Sequence, residues 1–578
     1  MIMALLSERL GEWNPQLERE LRSRFTGAHW AIAGVLSLGL QAVLLWIVRS
    51  GLPLGGDDAW GKAHYWNRYL CASHEAAAAI ASWPLSPEVN YVLCPGSTSA
   101  EVIVPAINWP LWWLDLLMWV SVTGCGLLLL GSSLLLLHNL YRETRSGTLS
   151  LVRLSAQSGA RVLLGKVLGV PVLVYGGVLL ALPLQLWSAA HAGVAFVPLL
   201  LFDLLAIAMT GAVQLLLAAI ALGAIAPSGS RQHSPWLVEL AWFVCPVGLA
   251  TLLALEHPRY GNDLLHFGPL DAVKVLNPLY FLTYAVGQAP HSLETVGYLN
   301  VQDWMQLNWF GLPLWHSMAV AFGITLGAWG AIAACGWQSS LRRYQQPSAP
   351  LLSKRQSYGL TTVLSLVLLG FAVQERGLGS DSIGNSYTVL SCLVVWWLSL
   401  SLWLTPQRQT LIEWWRYRPQ ARRRSLVADL LWSDDAPASL AILLNLAIAS
   451  LIAGPPLLIR LLQSDELGLP AWSLTWSWGA GVSTALVWAL GWELLRLVAG
   501  WPRFQWLAGL LVAPALPLGL LLWAAVQPVA TPIVSGWLLL GEWLAIALCT
   551  WQLQAQLRRL GASSWGRALP PTGSALRA

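Results

Sequence analysis

Residues 141–149 read Tyr141-Arg142-Glu143-Thr144-Arg145-Ser146-Gly147-Thr148-Leu149, a short polar stretch between apolar runs at 111–137 and 161–187. A helix needs about 20 apolar residues to cross ~30 Å of hydrocarbon, and each flanking run has them. The polar stretch is too short to fold alone and too charged to sit in lipid. It therefore turns the chain back at a membrane surface.

Runs of that length recur along all 578 residues. We read twelve, at 29–48, 111–137, 161–187, 197–225, 236–255, 311–335, 359–374, 388–404, 438–460, 474–498, 505–526 and 531–551. The chain is 56% hydrophobic and only 11% charged, whereas soluble domains carry roughly 25% charged residues. This composition excludes a soluble globular protein and predicts an all-α polytopic membrane protein with two six-helix halves. With the N-terminus inside, 26 of the 33 Lys and Arg fall in inner segments and 7 in outer ones. That bias is the positive-inside pattern, and it predicts both termini in the cytoplasm.

The expected organisation is an amphipathic interfacial helix within 1–28 and a six-span region over 29–337 with outer loops at 49–110 and 256–310. A basic cytoplasmic linker at 338–358, a second six-span region at 359–551 and a cytoplasmic tail at 552–578 follow. Met1 to Phe25 carries Glu8, Arg9, Glu12, Glu18, Arg19 and Glu20 and lacks the apolar core of a signal peptide. Asn14-Pro15 reads as an N-cap with proline at the first helical position. Leu17, Leu21 and Phe25 then share one face, opposite the pairs Glu18–Arg22 and Glu20–Arg24. This pattern predicts a helix lying in the membrane surface against lipid.

In the first outer loop, Cys71 and Cys94 are the only cysteines outside the spans. Facing an oxidising side they fit either a disulfide, contributing about 3 kcal/mol, or two free thiols. In the second, Val275 to Val286 is too short to cross and fits a re-entrant or interfacial helix starting at Asn277-Pro278, with Tyr280 and Tyr284 at headgroup level. Trp112, Trp113, Trp315, Trp337, Trp472 and Trp551 fall near span ends and read as an aromatic belt.

Within the opening segment, Ser146-Gly147 breaks the second span's helix. Thr148 is placed to cap a short helix, Leu149 to Ala156, that ends before Ser158-Gly159. Arg161 and Lys166 open the third span. Leu149, Val152 and Leu154 are then available to fill a partner's groove. The run Gly159 to Gly165-Lys166 is not a phosphate-binding loop, because its spacing is one residue too long and Val167 follows where Ser or Thr is needed.

Several of these pieces, in this order, resemble the membrane subunit of a type-2 ATP-binding-cassette (ABC) exporter over about residues 14–345. They are Asn14-Pro15 followed by Glu20-Leu21-Arg22, Glu143 followed by Gly147-Thr148-Leu149, Gly165-Lys166 entering the third span, and Asn277-Pro278 before the sixth. The resemblance implies a separate ABC ATPase subunit, which carries ATP and Mg and docks on Arg142, Glu143, Gly147, Thr148, Leu149, Val152, Leu154, Gly165 and Lys166. It also implies an interfacial helix braced by Leu17, Leu21, Arg22 and Phe25, alternating access, a homodimer or second permease subunit, and a bacterial cytoplasmic membrane. It leaves the substrate unassigned. The second half departs from the family: its loop 405–437 contains Glu413-Trp414-Trp415-Arg416-Tyr417-Arg418 and Arg422-Arg423-Arg424 but no Gly-Thr-Leu or Gly-Lys. No catalytic, cofactor-binding or metal-ligating residue is expected in this chain, and no nucleic-acid partner.

Two other classes can be weighed. An ion-coupled transporter needs ionisable groups near the midplane. Asp115, Asp203, Glu239 and Glu493 lie near span ends, which leaves Glu542, central in the last span and most simply a hydrogen-bonded packing residue. An enzyme acting on lipid-linked substrates would draw on His64, His74, Glu75, Glu88, His257, Asp263 and His266 in the outer loops, but no metal-binding spacing accompanies them.

Overall fold

The computed structural model describes residues 11–52, 69–71, 106–223, 268–287, 307–373, 382–418, 425–463, 471–497 and 532–561. In the first half these form α1 (Pro15–Arg24), α2 (Gly27–Ser50) and α3 (Trp109–Gly126), which passes through a π turn at Leu127–Gly131 into α4 (Ser132–Arg145). Next come α5 (Thr148–Leu154), α6 (Gly159–Gly169), α7 (Val172–Leu179), α8 (Leu182–Ala192) and α9 (Phe196–Gly223). Then follow α10 (Asp271–Leu276), α11 (Pro278–Gly287) and α12 (Met318–Gln345). The second half holds α13 (Lys354–Ala372), α14 (Ser382–Leu404), α15 (Arg408–Tyr417), α16 (Leu426–Trp432), α17 (Ser439–Gln463), α18 (Ala471–Leu497) and α19 (Pro532–Gly561). The only strands among the described residues form two two-residue antiparallel pairs, Leu70–Cys71 with Ala106–Ile107 and Asn308–Trp309 with Leu312–Pro313.

Among the described residues seven helical stretches are long and apolar enough to cross a membrane: Gly27–Ser50, Trp109–Thr144, Val172–Ala192, Phe196–Gly223, Met318–Gln345, Gly384–Leu404 and Ser439–Arg460. The chain is thus an all-α polytopic membrane protein. Of the other expected spans, 359–374, 474–498 and 531–551 fall on α13, α18 and α19. The runs at 236–255 and 505–526 lie outside the described residues.

Several expectations change in detail. The third span is not one helix but α6, α7 and α8, because Pro171 and Pro183 lack the amide hydrogen that a continuous ladder needs. The sixth begins at Met318 rather than 311, after the 308–313 hairpin, and runs through to Gln345, so the linker proper is only 346–353. Asn277 does start α11, its side chain accepting from Leu279 N at 3.0 Å. Tyr280 and Tyr284, however, are buried instead of lying at headgroup level, Tyr284 against Phe281 and Trp315. Trp112 and Trp315 are likewise core residues, Trp112 donating its ring N–H to Val48 O at 3.1 Å, whereas Trp551 is exposed. Tryptophan near a span end suits either place, and only the helix face decides.

Among the described residues the two largest apolar cores lie among α2, α3, α8, α9, α11 and α12 and among α13, α14, α17 and α18. The linker is fastened on both sides. Leu351 N donates to Trp403 O at 2.9 Å, while Arg342 donates to Leu351 O at 2.7 Å and Arg343 to Ala219 O at 3.0 Å. Just beyond it, Ser353 and Gln356 form a capping box that starts α13.

The first residue of α13, Lys354, is buried, and its Nζ donates to Leu430 O (2.7 Å), Pro437 O (3.0 Å) and Ala436 O (3.2 Å). Its backbone N donates to Asp434 Oδ1 at 3.0 Å. Burial pushes the Lys354 ammonium down to about 8, against the pull of Glu493 and Asp434. Glu493 does not meet water at a span end, as its position had implied. It is 0% exposed and caps α17, accepting from Ala438 N (2.5 Å) and Ser439 N (2.9 Å).

Candidate coupling site

The opening segment and α1 come together at one end of the first half. The α1 helix starts as its sequence dictates: the Asn14 side chain accepts from Gln16 N and Leu17 N, both at 3.1 Å, and Pro15 takes the first helical position. Asn14 Nδ2 also donates to Arg161 O at 2.8 Å, which ties α1 to α6. Two glycines one turn apart let these helices touch. A Cβ on Gly165 would stand 2.8 Å from the Leu17 nitrogen, and one on Gly169 would stand 2.7 Å from the Glu20 Cβ. Any larger residue would push α1 away.

The face that α1 buries is not the expected one. Leu17 packs inward, but so do Gln16 and Glu20, while Leu21 is half-buried and Phe25 exposed against Trp30. Arg22 is on the solvent side, paired with Glu18 at 2.5 Å. The Glu20–Arg24 pair forms, yet it faces protein, because Lys166 waits beneath it.

Lys166 is 1% exposed, with its Nζ 2.6 Å from Glu143 Oε2, 3.5 Å from Glu20 Oε1 and 3.4 Å from Asn139 Oδ1. The Glu143 contact is a close ion pair whose angle is not that of a hydrogen bond. Arg19 reaches both Glu143 (3.7 Å) and Glu20 (3.6 Å) from the surface. One buried cation thus joins α1, the end of α4 and α6. Burial disfavours the Glu20 carboxylate, but Arg24, Lys166 and Arg19 together hold its pKa below the ordinary 4.5. Because the folded value is depressed, the stabilisation is complete above pH 4.5 and is lost as pH falls through the folded value. Acidification from pH 6 to 3 is therefore expected to deprotect α1 in hydrogen exchange before the membrane helices; simultaneous loss in both would refute this.

Between α4 and α6, Gly147 has φ +73°, a left-handed conformation that suits glycine. It lets the chain turn directly into α5. Thr148 is the first residue of that helix rather than its cap, and its hydroxyl donates to Glu143 O at 3.2 Å. The helix ends at Leu154, two residues before the expected Ala156. Leu149 is not available to a partner: it is 2% exposed, packed with Val162, Leu163, Leu222 and Tyr344, and Val152 is half-buried beside it. Arg153 lies over the Tyr344 ring at 5.4 Å and donates to Arg343 O at 3.5 Å. The outward face instead carries Leu154, 85% exposed, and Leu151, 68% exposed, with Arg142 and Arg161 also exposed. Leu151 escaped the sequence reading because both faces of this short helix are apolar.

Glu542 accepts from Ser483 and, at 2.6 Å, from Thr484 Oγ1, as a packing residue would. A second polar pin sits beside the π turn: Gln214 Nε2 donates to Ser132 Oγ (2.6 Å) and Tyr175 OH (2.9 Å), joining α4, α7 and α9. The Cys71 backbone lies in the first strand pair, whereas Cys94, and with it any bridge, lies outside the described residues. So do the outer-loop candidates His64, His74, Glu75, Glu88, His257, Asp263 and His266. Among the described residues no group of three or more His, Cys, Asp or Glu could hold a metal ion. No protein-family model matches the chain, and no curated protein or solved structure does either.

Proposed function

We propose that this chain is the membrane subunit of an ATP-driven ABC exporter, with twelve spans and both termini on the cytoplasmic side of a bacterial inner membrane. A separate ATPase, holding ATP and Mg, docks on α5, and its nucleotide-driven motion is passed to the spans as alternating access. The observation that carries this reading is the construction of α5. A helix outside the spans is fixed on one side by Leu149 and Arg153 and leaves Leu151 and Leu154 bare on the other. Nearby, Lys166 ties α4, α6 and α1 into one unit, so a push on α5 reaches the second span and the start of the third together.

The test is affinity purification in mild detergent from the native membrane. An ATP-hydrolysing subunit is expected with the wild-type chain. The Leu151→Asp/Leu154→Asp variant is expected to retain half of it or less at unchanged elution volume. These two positions are solvent-facing, so the fold tolerates the charges. Absence of any ATPase with the wild type, or equal recovery with the variant, would sink the proposal.

A further inference from the structure

We propose that Asp203 forms a lipid-side binding site for the cationic headgroup of an amphiphile, a molecule with an apolar chain and a protonated amine. The inference goes beyond the exporter reading and takes from it only the orientation that puts Phe196 at the outer side.

Depth comes first. Asp203 is the eighth residue of α9, about 10 Å along the axis from Phe196. The 28-residue helix is about 42 Å long. Centred on ~30 Å of hydrocarbon, it overruns each edge by roughly 6 Å, which leaves Asp203 a few ångströms inside the outer one. A carboxylate at that depth is costly and marks a functional position.

Satisfaction comes second. Gln185 of α8, only 5% exposed, donates from Nε2 to Asp203 Oδ1 at 3.1 Å and to Ser121 Oγ of α3 at 3.2 Å. The buried amide is held from behind, so it fixes the carboxylate in place. That is the only hydrogen bond to Asp203 among the described residues, and no described Lys, Arg or His pairs with it. Its Oδ2 is left without a donor among them. Glu542 differs on this point, since each of its two oxygens accepts a hydroxyl. A packing role therefore accounts for Glu542 and leaves Asp203 half used.

Access identifies the occupant. Asp203 is half-buried, and Leu200, Leu204 and Ile207, at i−3, i+1 and i+4, are 54%, 52% and 58% exposed. The carboxylate thus stands beside the lipid-facing side of α9. An inorganic cation would have to shed its water to reach it past apolar side chains. An amphiphile already in the leaflet brings its charge to this depth. Its chain then runs deeper along Leu204 and Ile207 to Gly211, where an added Cβ would meet nothing within 4 Å. Charge selects an amine over a neutral or acidic headgroup, because a protonated amine both neutralises the carboxylate and donates to Oδ2.

Photolabelling of the purified chain tests this, in nanodiscs of phosphatidylcholine, whose headgroup has no N–H to donate. Dodecylamine carrying a diazirine in its chain is expected to label residues 200–211 about tenfold more than the matching alcohol, the effect of roughly 1.4 kcal/mol. Unlabelled dodecylamine should compete, and dodecyl sulfate should not. Asp203→Asn should be labelled at the alcohol's level with its elution volume unchanged, while Asp203→Glu should keep the preference for the amine. Discs containing phosphatidylethanolamine separate two sources of the same chemistry. Lower labelling there makes the bilayer's own aminophospholipid the occupant, and unchanged labelling makes it a free lipophilic amine. Equal labelling of the wild type by amine and alcohol, or a preference that survives Asp203→Asn, would overturn the site. So would displacement of the amine by sodium ions at equal concentration, which would give the carboxylate to an inorganic cation. The discs hold no ATPase, so failure here is distinct from failure of the coupling proposal.

Discussion

Lys166→Met is expected to release α1 and unmake the coupling site. The substitution keeps the length and apolar stem of the side chain but removes the one buried cation among Glu143, Glu20 and Asn139. Breaking a buried pair from one side costs about 3–5 kcal/mol, because it strands the opposite charge. The lower end applies here, since Arg24 remains on Glu20 and Arg19 on Glu143. In hydrogen exchange α1 should lose its protection while the core of α9 keeps its own, and recovery of the ATPase should fall with it. Adding Glu20→Gln and Glu143→Gln should restore protection, because the stranded charges are then gone. Unchanged protection in Lys166→Met would mean that glycine-mediated packing alone holds α1.

Lys354→Met should do comparable damage in the second half. Three carbonyls, of Leu430, Ala436 and Pro437, would lose their donor. Each buried acceptor left unsatisfied costs about 1–3 kcal/mol. A loss of roughly 4 kcal/mol corresponds to about 10 °C in the unfolding midpoint of a region of this size. Lys354→Arg should not rescue, since a planar fork cannot address three oxygens converging on one point. A pH signature separates charge from packing. With its folded pKa near 8 and an ordinary value of 10.5, the wild-type lysine is more protonated unfolded than folded across that window. Stability should therefore rise from pH 8 to 10.5 in the wild type. In Lys354→Met that rise should be missing, and its persistence would place the titrating group elsewhere.

The membrane class was legible because composition cannot hide it, and the starts of α1 and α11 because Asn-Pro has few other uses. The Gly147 turn was legible for the same kind of reason. What the sequence concealed were choices of face. The Leu17, Leu21, Phe25 stripe predicts burial on the assumption that water lies opposite, yet what lies opposite is Lys166, so Glu20 turned inward. The signal was present in the spacing of Gly165 and Gly169, which marks a close crossing only when its partner is known. The breaks at Pro171 and Pro183 were readable, but the apolar run around them looked continuous. Lys354 resembled one more basic linker residue, because nothing local shows three carbonyls 76 to 83 positions downstream turning toward it.

The tie between α1 and α6 also sets a schedule. Asn14 and Arg161 are 147 residues apart, and a ribosome adding about 5–20 residues per second needs roughly 7–30 s to span them. For that interval α1 has been made but its seat has not, and Glu20 has only Arg24 and Arg19 beside it. The Leu21 and Phe25 side, still partly exposed in the finished protein, is what can hold the newborn helix to the bilayer until Lys166 emerges. A face that contributes little to the final structure thus serves the order in which the structure is made.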